Sequence, residues 1–101
     1  MVKEVVSVND INRGNVLVDF YTRTCAPCRA LNPILEEISN EFQGIKVAKV
    51  DVTSNPEISQ TFGISSVPTV IFMRDCQVKK TVRGLSNKEA LMSMVRKCMS
   101  E

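Results

Sequence analysis

The chain has 101 residues, room for one domain over 1–101 and no second, and its 44% hydrophobic and 24% charged composition suits a globular fold with one core. A formal charge of +2 with no basic run longer than two residues (Lys79-Lys80, Arg96-Lys97) gives no support to nucleic-acid or polybasic membrane binding, and the lack of histidine removes the usual general base and the commonest metal ligand. The stretch Met1-Val2-Lys3-Glu4-Val5-Val6 is neither a signal peptide nor a membrane span, so the expected compartment is the reducing cytoplasm, where four cysteines read as catalytic, metal-binding or buried.

Apolar periodicity predicts an alternating series of elements. Val2 to Val6 reads as a short strand, and the polar Val8 to Arg13 as one or two turns of helix. Asn15 to Tyr21 is β-rich with apolar residues on both faces, the pattern of a central strand covered on both sides. After Thr24, residues Leu31, Ile34, Leu35, Ile38 and Phe42 recur at steps of three and four, and Gly44 follows as a terminator. Pro33 lies inside that helix and lacks the amide that would bond the Arg29 carbonyl, so a bend is expected there. Ile45 to Val52 alternates as a strand. Asn55 as cap and Pro56 in the first turn open a helix that Gly63 ends. Pro68 to Met73 reads as a strand, Arg74-Asp75-Cys76 as a tight turn and Gln77 to Arg83 as the hairpin partner. Ser86, with Glu89 three residues on, predicts a capping box for a last helix with Ala90, Leu91, Met94, Val95 and Cys98 on its inner stripe. This order implies an α/β fold, a mixed sheet with helices on both faces. The first three strands are expected to be parallel and the final hairpin antiparallel to them.

Cys25-Ala26-Pro27-Cys28 falls between the central strand and the start of the strongest helix. A thiol attacks a disulfide only as thiolate, and a helix N-terminus stabilises a thiolate with unpaired amides and partial positive charge. Residues three apart share a helix face, so the two sulfurs can meet and close a small ring. Pro27 suits the first turn, where its missing N–H costs nothing. Cys25, at the helix mouth, is expected to be the exposed nucleophile, and Cys28, one turn in, the shielded resolving thiol. A pair at this spacing is also half of a zinc site, but Cys76 and Cys98 are 22 residues apart and form no second knuckle, so no metal is expected.

Asp19 lies in the middle of Val16-Leu17-Val18-Asp19-Phe20-Tyr21, where a carboxylate is costly unless it has a partner or a task. Placed beneath the redox pair, with its pKa raised by desolvation, it is the expected proton acceptor for Cys28. Lys49, in Val47-Ala48-Lys49-Val50, is its expected charge partner. The bland alternative is that Asp19 points to solvent at a sheet edge. On spacing alone, Val67-Pro68-Thr69 marks only the start of a strand. Strand geometry puts Cys76 about 20 Å from Cys25, and Cys98 at the same far end, so both are expected to be dispensable for the chemistry.

Taken in order, Val16 to Tyr21, Cys25-Ala26-Pro27-Cys28, Pro33, Val47-Ala48-Lys49-Val50-Asp51, Phe62-Gly63-Ile64, Val67-Pro68-Thr69 and Gly84 make nearly the whole chain resemble the thioredoxin family. The resemblance implies a five-stranded mixed sheet of order 1-3-2-4-5 flanked by helices, the thioredoxin fold, with no cofactor. It also implies a cis peptide before Pro68, packed on the redox pair, and Asp19 and Lys49 as the family's buried acid and its lysine. A substrate-facing surface is implied at Thr24, Ala26, Pro27, Val67, Pro68 and Gly84, with Val67 offering its backbone to an extended segment. Thr24, Ala26 and Tyr21 depart from the family pattern, in which Trp, Gly and Trp are usual; these changes bear on potential and substrate range, not on the thiol chemistry.

The expected function is reduction of disulfides in protein substrates, with re-reduction by a reductase of the thioredoxin-reductase type, by a monomer that binds neither nucleic acid nor membrane. The competing readings are a thioredoxin-fold binding or specificity subunit whose redox activity is not essential, and an oxidase or isomerase.

Overall fold

Seven residues from Asn15 to Tyr21 form the central strand of the sheet, and everything else is arranged about it. The computed structural model describes residues 1–101. In chain order the elements are β1 (Val2–Glu4), a single 3-10 turn (Val8–Asp10), β2 (Asn15–Tyr21), α1 (Ala26–Glu41), β3 (Ile45–Asp51), α2 (Pro56–Thr61), β4 (Thr69–Arg74), β5 (Gln77–Arg83) and α3 (Lys88–Met99). The five strands lie in the order β1-β3-β2-β4-β5. β1 and β2 both run parallel to β3, because helix α1 carries the chain back between β2 and β3. β4 runs against β2.

The expectation for the last hairpin holds for only one of its strands. β5 is antiparallel to β4 and therefore points the same way as the first three, since the two arms of a hairpin run oppositely. Its register slips between Phe72 and Met73, so that Lys79 is left over on the edge strand as a bulge.

Alternation along the strands divides the core into two layers. Leu17, Val47, Val70 and Phe72 face α1 and α3, where they meet Leu31, Leu35, Ile38, Leu91 and Val95. Val16, Val18, Phe20, Ala48, Val50 and Ile71 face the other way, toward Ile11 and Ile58. A fully buried side chain of this kind contributes about 1.5–3 kcal/mol. With neighbours on both sides and cover on both faces, β2 is buried from Val16 to Phe20. Asp19 cannot reach solvent there, which disposes of the edge alternative.

Two helix starts differ from the sequence expectation. α3 is capped by Asn87, whose side-chain oxygen accepts the Ala90 N–H at 2.8 Å, and not by Ser86. Both residue types cap well. On the helix itself Ala90, expected on the inner stripe, is exposed, and Met92 is buried. At α2, Asn55 holds the cap position but makes no capping bond with its side chain; its amide donates instead to the Asp51 carbonyl at 3.1 Å.

Candidate active site

The loop Thr22–Thr24 leaves β2 and delivers Cys25 to the N-cap position of α1. Pro27 occupies the first turn, and Pro33 lies inside the helix as expected. Cys25 is half-buried, whereas Cys28 is 2% exposed. The two are joined as a disulfide with Cα atoms 5.2 Å apart. The Cys28 N–H donates to Cys25 Sγ at 3.2 Å. A sulfur at this position faces the free amides of the first helical turn, so negative charge on it is stabilised by a direct donor and by the helix dipole.

Thr24, Ala26 and Pro27 are exposed around this pair. The Val67-Pro68 peptide is cis. Because Phe20 pairs with Thr69, Pro68 lies at the end of the sheet where β2 leads into Cys25. Gly84 is brought to the same end by its N–H, which donates to the Pro68 carbonyl at 2.8 Å. Its φ of 85° is a left-handed conformation that glycine adopts without strain. None of the loop and turn hydrogen bonds uses the Val67 N–H or carbonyl, and its side chain is half-buried.

Asp19 is wholly buried, and neither of its oxygens has a hydrogen-bond partner. Burial pushes its carboxyl up to about 7; the Lys49 charge pulls the other way, and Glu4 adds to the rise. Lys49 stands opposite Asp19 in the β2–β3 register, on the same face. It is not, however, in contact with the carboxylate as an ion pair. Its ammonium donates to Asn32 Oδ1 at 2.7 Å and lies 4.3 Å from the centre of the Tyr21 ring. The flexible four-carbon stem allows this, and the half-exposed position favours partners nearer to water. Tyr21 in turn donates its hydroxyl to Glu4 Oε1 at 2.7 Å, and its phenol is pushed up by burial and by that carboxylate.

Sequence reasoning missed Asn32, Glu4 and the part Tyr21 plays. The only signal was that Asn32 follows Cys28 by one helical turn. It also missed Asp51, a buried acid that accepts the Thr53 N–H at 3.0 Å and pairs with Arg23 at 3.3 Å. Asp51 thereby ties the end of β3 to the loop that carries Cys25.

Cys76 and Cys98 lie where the strand geometry puts them. Cys76 is exposed in the β4–β5 turn, with Asp75 and Cys76 both at positive φ (50° and 68°). The Asp75 N–H donates to the Gly14 carbonyl at 3.0 Å, which places this turn beside the start of β2, at the end opposite Cys25. Cys98 is buried on α3, and its carbonyl accepts from Arg74 Nη2 at 2.6 Å at that same far end. The double variant Cys76→Ser/Cys98→Ser is therefore expected to keep insulin-reducing turnover within about twofold of the parent. A loss beyond about tenfold with the fold intact would make these thiols part of the mechanism.

Residues 3–97 match the family model described as Thioredoxin. The chain is 39% identical over 101 residues to the thioredoxin of Listeria monocytogenes, covering 96% of this chain and 98% of that one. It is 37% identical over 89 residues to that of Bacillus subtilis, covering 87% and 86%. In three dimensions it superposes on a mutant thioredoxin from Halobacterium salinarum with a TM-score of 0.89 at 28% identity, covering 95% of this chain and 88% of that one. The thioredoxin of Plasmodium falciparum gives a TM-score of 0.85 at 29% identity, with 94% and 97% covered. No helix of the chain is long and apolar enough to cross a membrane.

Proposed function

Since the chain belongs to the thioredoxin family and its Cys25–Cys28 pair supports dithiol–disulfide exchange, we propose that Cys25 is the attacking thiol and Cys28 the resolving one in the reduction of protein disulfides. In the reduced protein the Cys25 thiolate attacks one sulfur of a substrate disulfide. That S–S bond breaks, a mixed disulfide forms, and the departing substrate sulfur takes a proton. Cys28 then loses its proton to Asp19 and attacks Cys25 Sγ. The mixed disulfide breaks, the Cys25–Cys28 disulfide forms, and the second substrate sulfur leaves as a thiol. Two electrons pass from dithiol to substrate, and a reductase of the thioredoxin-reductase type returns them. Both thiols belong to one chain, so a monomer suffices.

The observation that carries this reading is the asymmetry of the pair. Cys25 is reachable and holds a helix amide on its sulfur, while Cys28 is shut away from solvent. In this proposal the buried Asp19, whose carboxyl is pushed up to about 7, takes the Cys28 proton. Thr24, Ala26, Pro27, Val67 and Gly84 form the docking surface in this proposal, with the buried Pro68 beneath it. The uncommitted Val67 backbone supports it, because an extended substrate segment needs main-chain partners. The cytoplasm is the proposed compartment, supported by the exposed, unpaired Cys76, a thiol that oxidising surroundings would not leave alone. Turnover of insulin with dithiothreitol as donor, together with a reduction-potential titration against glutathione, tests the whole. Catalysis of insulin reduction and a potential more reducing than glutathione's are expected; an inert pair, or one more oxidising than glutathione, would sink the reading.

A further inference from the structure

On the face of the sheet covered by α1, four elements each contribute one polar side chain to a single group: Glu4 from β1, Tyr21 from β2, Asn32 from α1 and Lys49 from β3. Glu4 and Lys49 are register partners, as are Lys49 and Asp19, and partners in a parallel pair share a face. Asn32 follows Cys28 by one turn and lies on the same side of α1. Glu4, Asn32 and Lys49 line a cleft of about 240 Å³ together with Val2, Leu35 and Glu36. Within the group the Lys49 ammonium is taken by the Asn32 oxygen and the Tyr21 ring, and the Tyr21 hydroxyl by Glu4. Asp19, opposite Lys49, receives nothing. That is unusual physics, because attraction between a lysine and a buried carboxylate on adjoining strands is strongest where the medium is least polar. Two neutral groups hold the ammonium in place of the charged one.

We propose that Asn32 is a positioning residue: its side-chain oxygen, with the Tyr21 ring, anchors the Lys49 ammonium at the cleft, near Asp19 but out of contact with it, and so keeps the carboxyl basic enough to receive the Cys28 proton. The inference rests on the reading of Asp19 as that acceptor. A contact pair would hold Asp19 ionised and make it a weaker base, whereas a proton acceptor works best when its own affinity lies near the working pH. The charges facing Asp19 are Lys49 from β3 and Glu4 from β1. From α1, Cys28 lies on the same side, and Glu36 at the cleft is occupied by the Val2 N–H at 3.0 Å. β4 offers the apolar Val70, and on β2 itself Tyr21 is committed to Glu4.

Two variants of the full chain separate this from mere packing. Asn32→Leu keeps the bulk but removes the acceptor, releasing the ammonium onto Asp19. Asn32→Asp keeps an acceptor and adds a negative charge that holds the ammonium more firmly. The side-chain carboxyl of Asp19 is followed by carbon-13 NMR across the pH range, with Asp19→Asn identifying its signal. The expected midpoint falls by about one pH unit or more in Asn32→Leu and rises in Asn32→Asp. Midpoints that stay put, or that move in the same direction, overturn the proposal. If Asn32→Leu does not fold, an unmoved or lowered midpoint in Asn32→Asp does so alone. The rate of mixed-disulfide resolution in Asp19→Asn serves the other question. A parent-like rate there, with midpoints still moving oppositely in the Asn32 variants, removes the acceptor role and leaves the anchoring of Lys49 standing.

Discussion

Replacing Cys25 by serine is expected to bring insulin reduction down to the uncatalysed background, a loss of at least about a thousandfold. A hydroxyl at the α1 N-cap would still accept the Cys28 amide, so the fold keeps its cap while the nucleophile is gone. Cys28→Ser should behave differently. Cys25 attacks as before, but the mixed disulfide has lost its intramolecular exit, and one substrate sulfur per chain stays attached as a measurable mass increase. The asymmetry comes from position: the Cys25 sulfur lies at the rim and the Cys28 sulfur is 2% exposed. Alkylation of the reduced protein at neutral pH, mapped by mass spectrometry, should mark Cys25 first. Labelling of Cys28 ahead of it, or trapping in the Cys25 variant, would reverse the roles.

Asp19→Asn is expected to stabilise the protein and slow its second chemical step. The carboxyl is raised from 3.8 to about 7, chiefly by burial, so the native state binds a proton more tightly than the unfolded chain does. The stability cost is absent below about 4, where both states are protonated. It grows as pH climbs from the unfolded value to the folded one, and is constant above about 7. A shift of that size corresponds to about 4 kcal/mol at the plateau. The amide that replaces the carboxylate is also buried and unpartnered, so the net gain should be about 1–3 kcal/mol. Urea midpoints of the two proteins should therefore converge in acid and separate through the range from 4 to 7. Resolution of the mixed disulfide should slow at least about tenfold above pH 7 and little below it, where the native carboxyl already holds its proton. Unchanged midpoints and unchanged resolution at pH 8 would defeat the assignment.

The central strand and the last strand were legible to the residue, Asn15 to Tyr21 and Gln77 to Arg83, because segments rich in β-branched and aromatic residues are bounded by Gly14 before the first and by Cys76 and Gly84 around the second. Cys25 and Cys28 were legible because their chemistry depends on the start of one helix, which is local information. Three things were not. Ser86 and Asn87 are adjacent and both good caps, so residue type alone does not choose between them. The direction of β5 follows from its hairpin with β4 and not from its position in the chain. The partner of Lys49 lies at the end of four rotatable bonds. Register places its Cα opposite Asp19, but nothing local reports that an amide from a helix one turn past Cys28 takes the ammonium first.

The interleaved strand order also sets a timetable for synthesis. β2 and the two thiols after it emerge early, and β3 can pair with β2 once α1 has formed. The other neighbour of β2 is β4, which begins at Thr69, about 40 residues after Cys28. At about 5–20 residues per second, translation leaves the half-sheet open for roughly 2–8 seconds. Throughout that interval one flank of Asp19 has no strand beside it, and the Pro68 side of the redox pair has not been made. A nascent chain therefore carries two accessible thiols without the surface proposed here to select what they meet, and on that proposal the last third of the sequence converts a pair of reactive cysteines into a selective one.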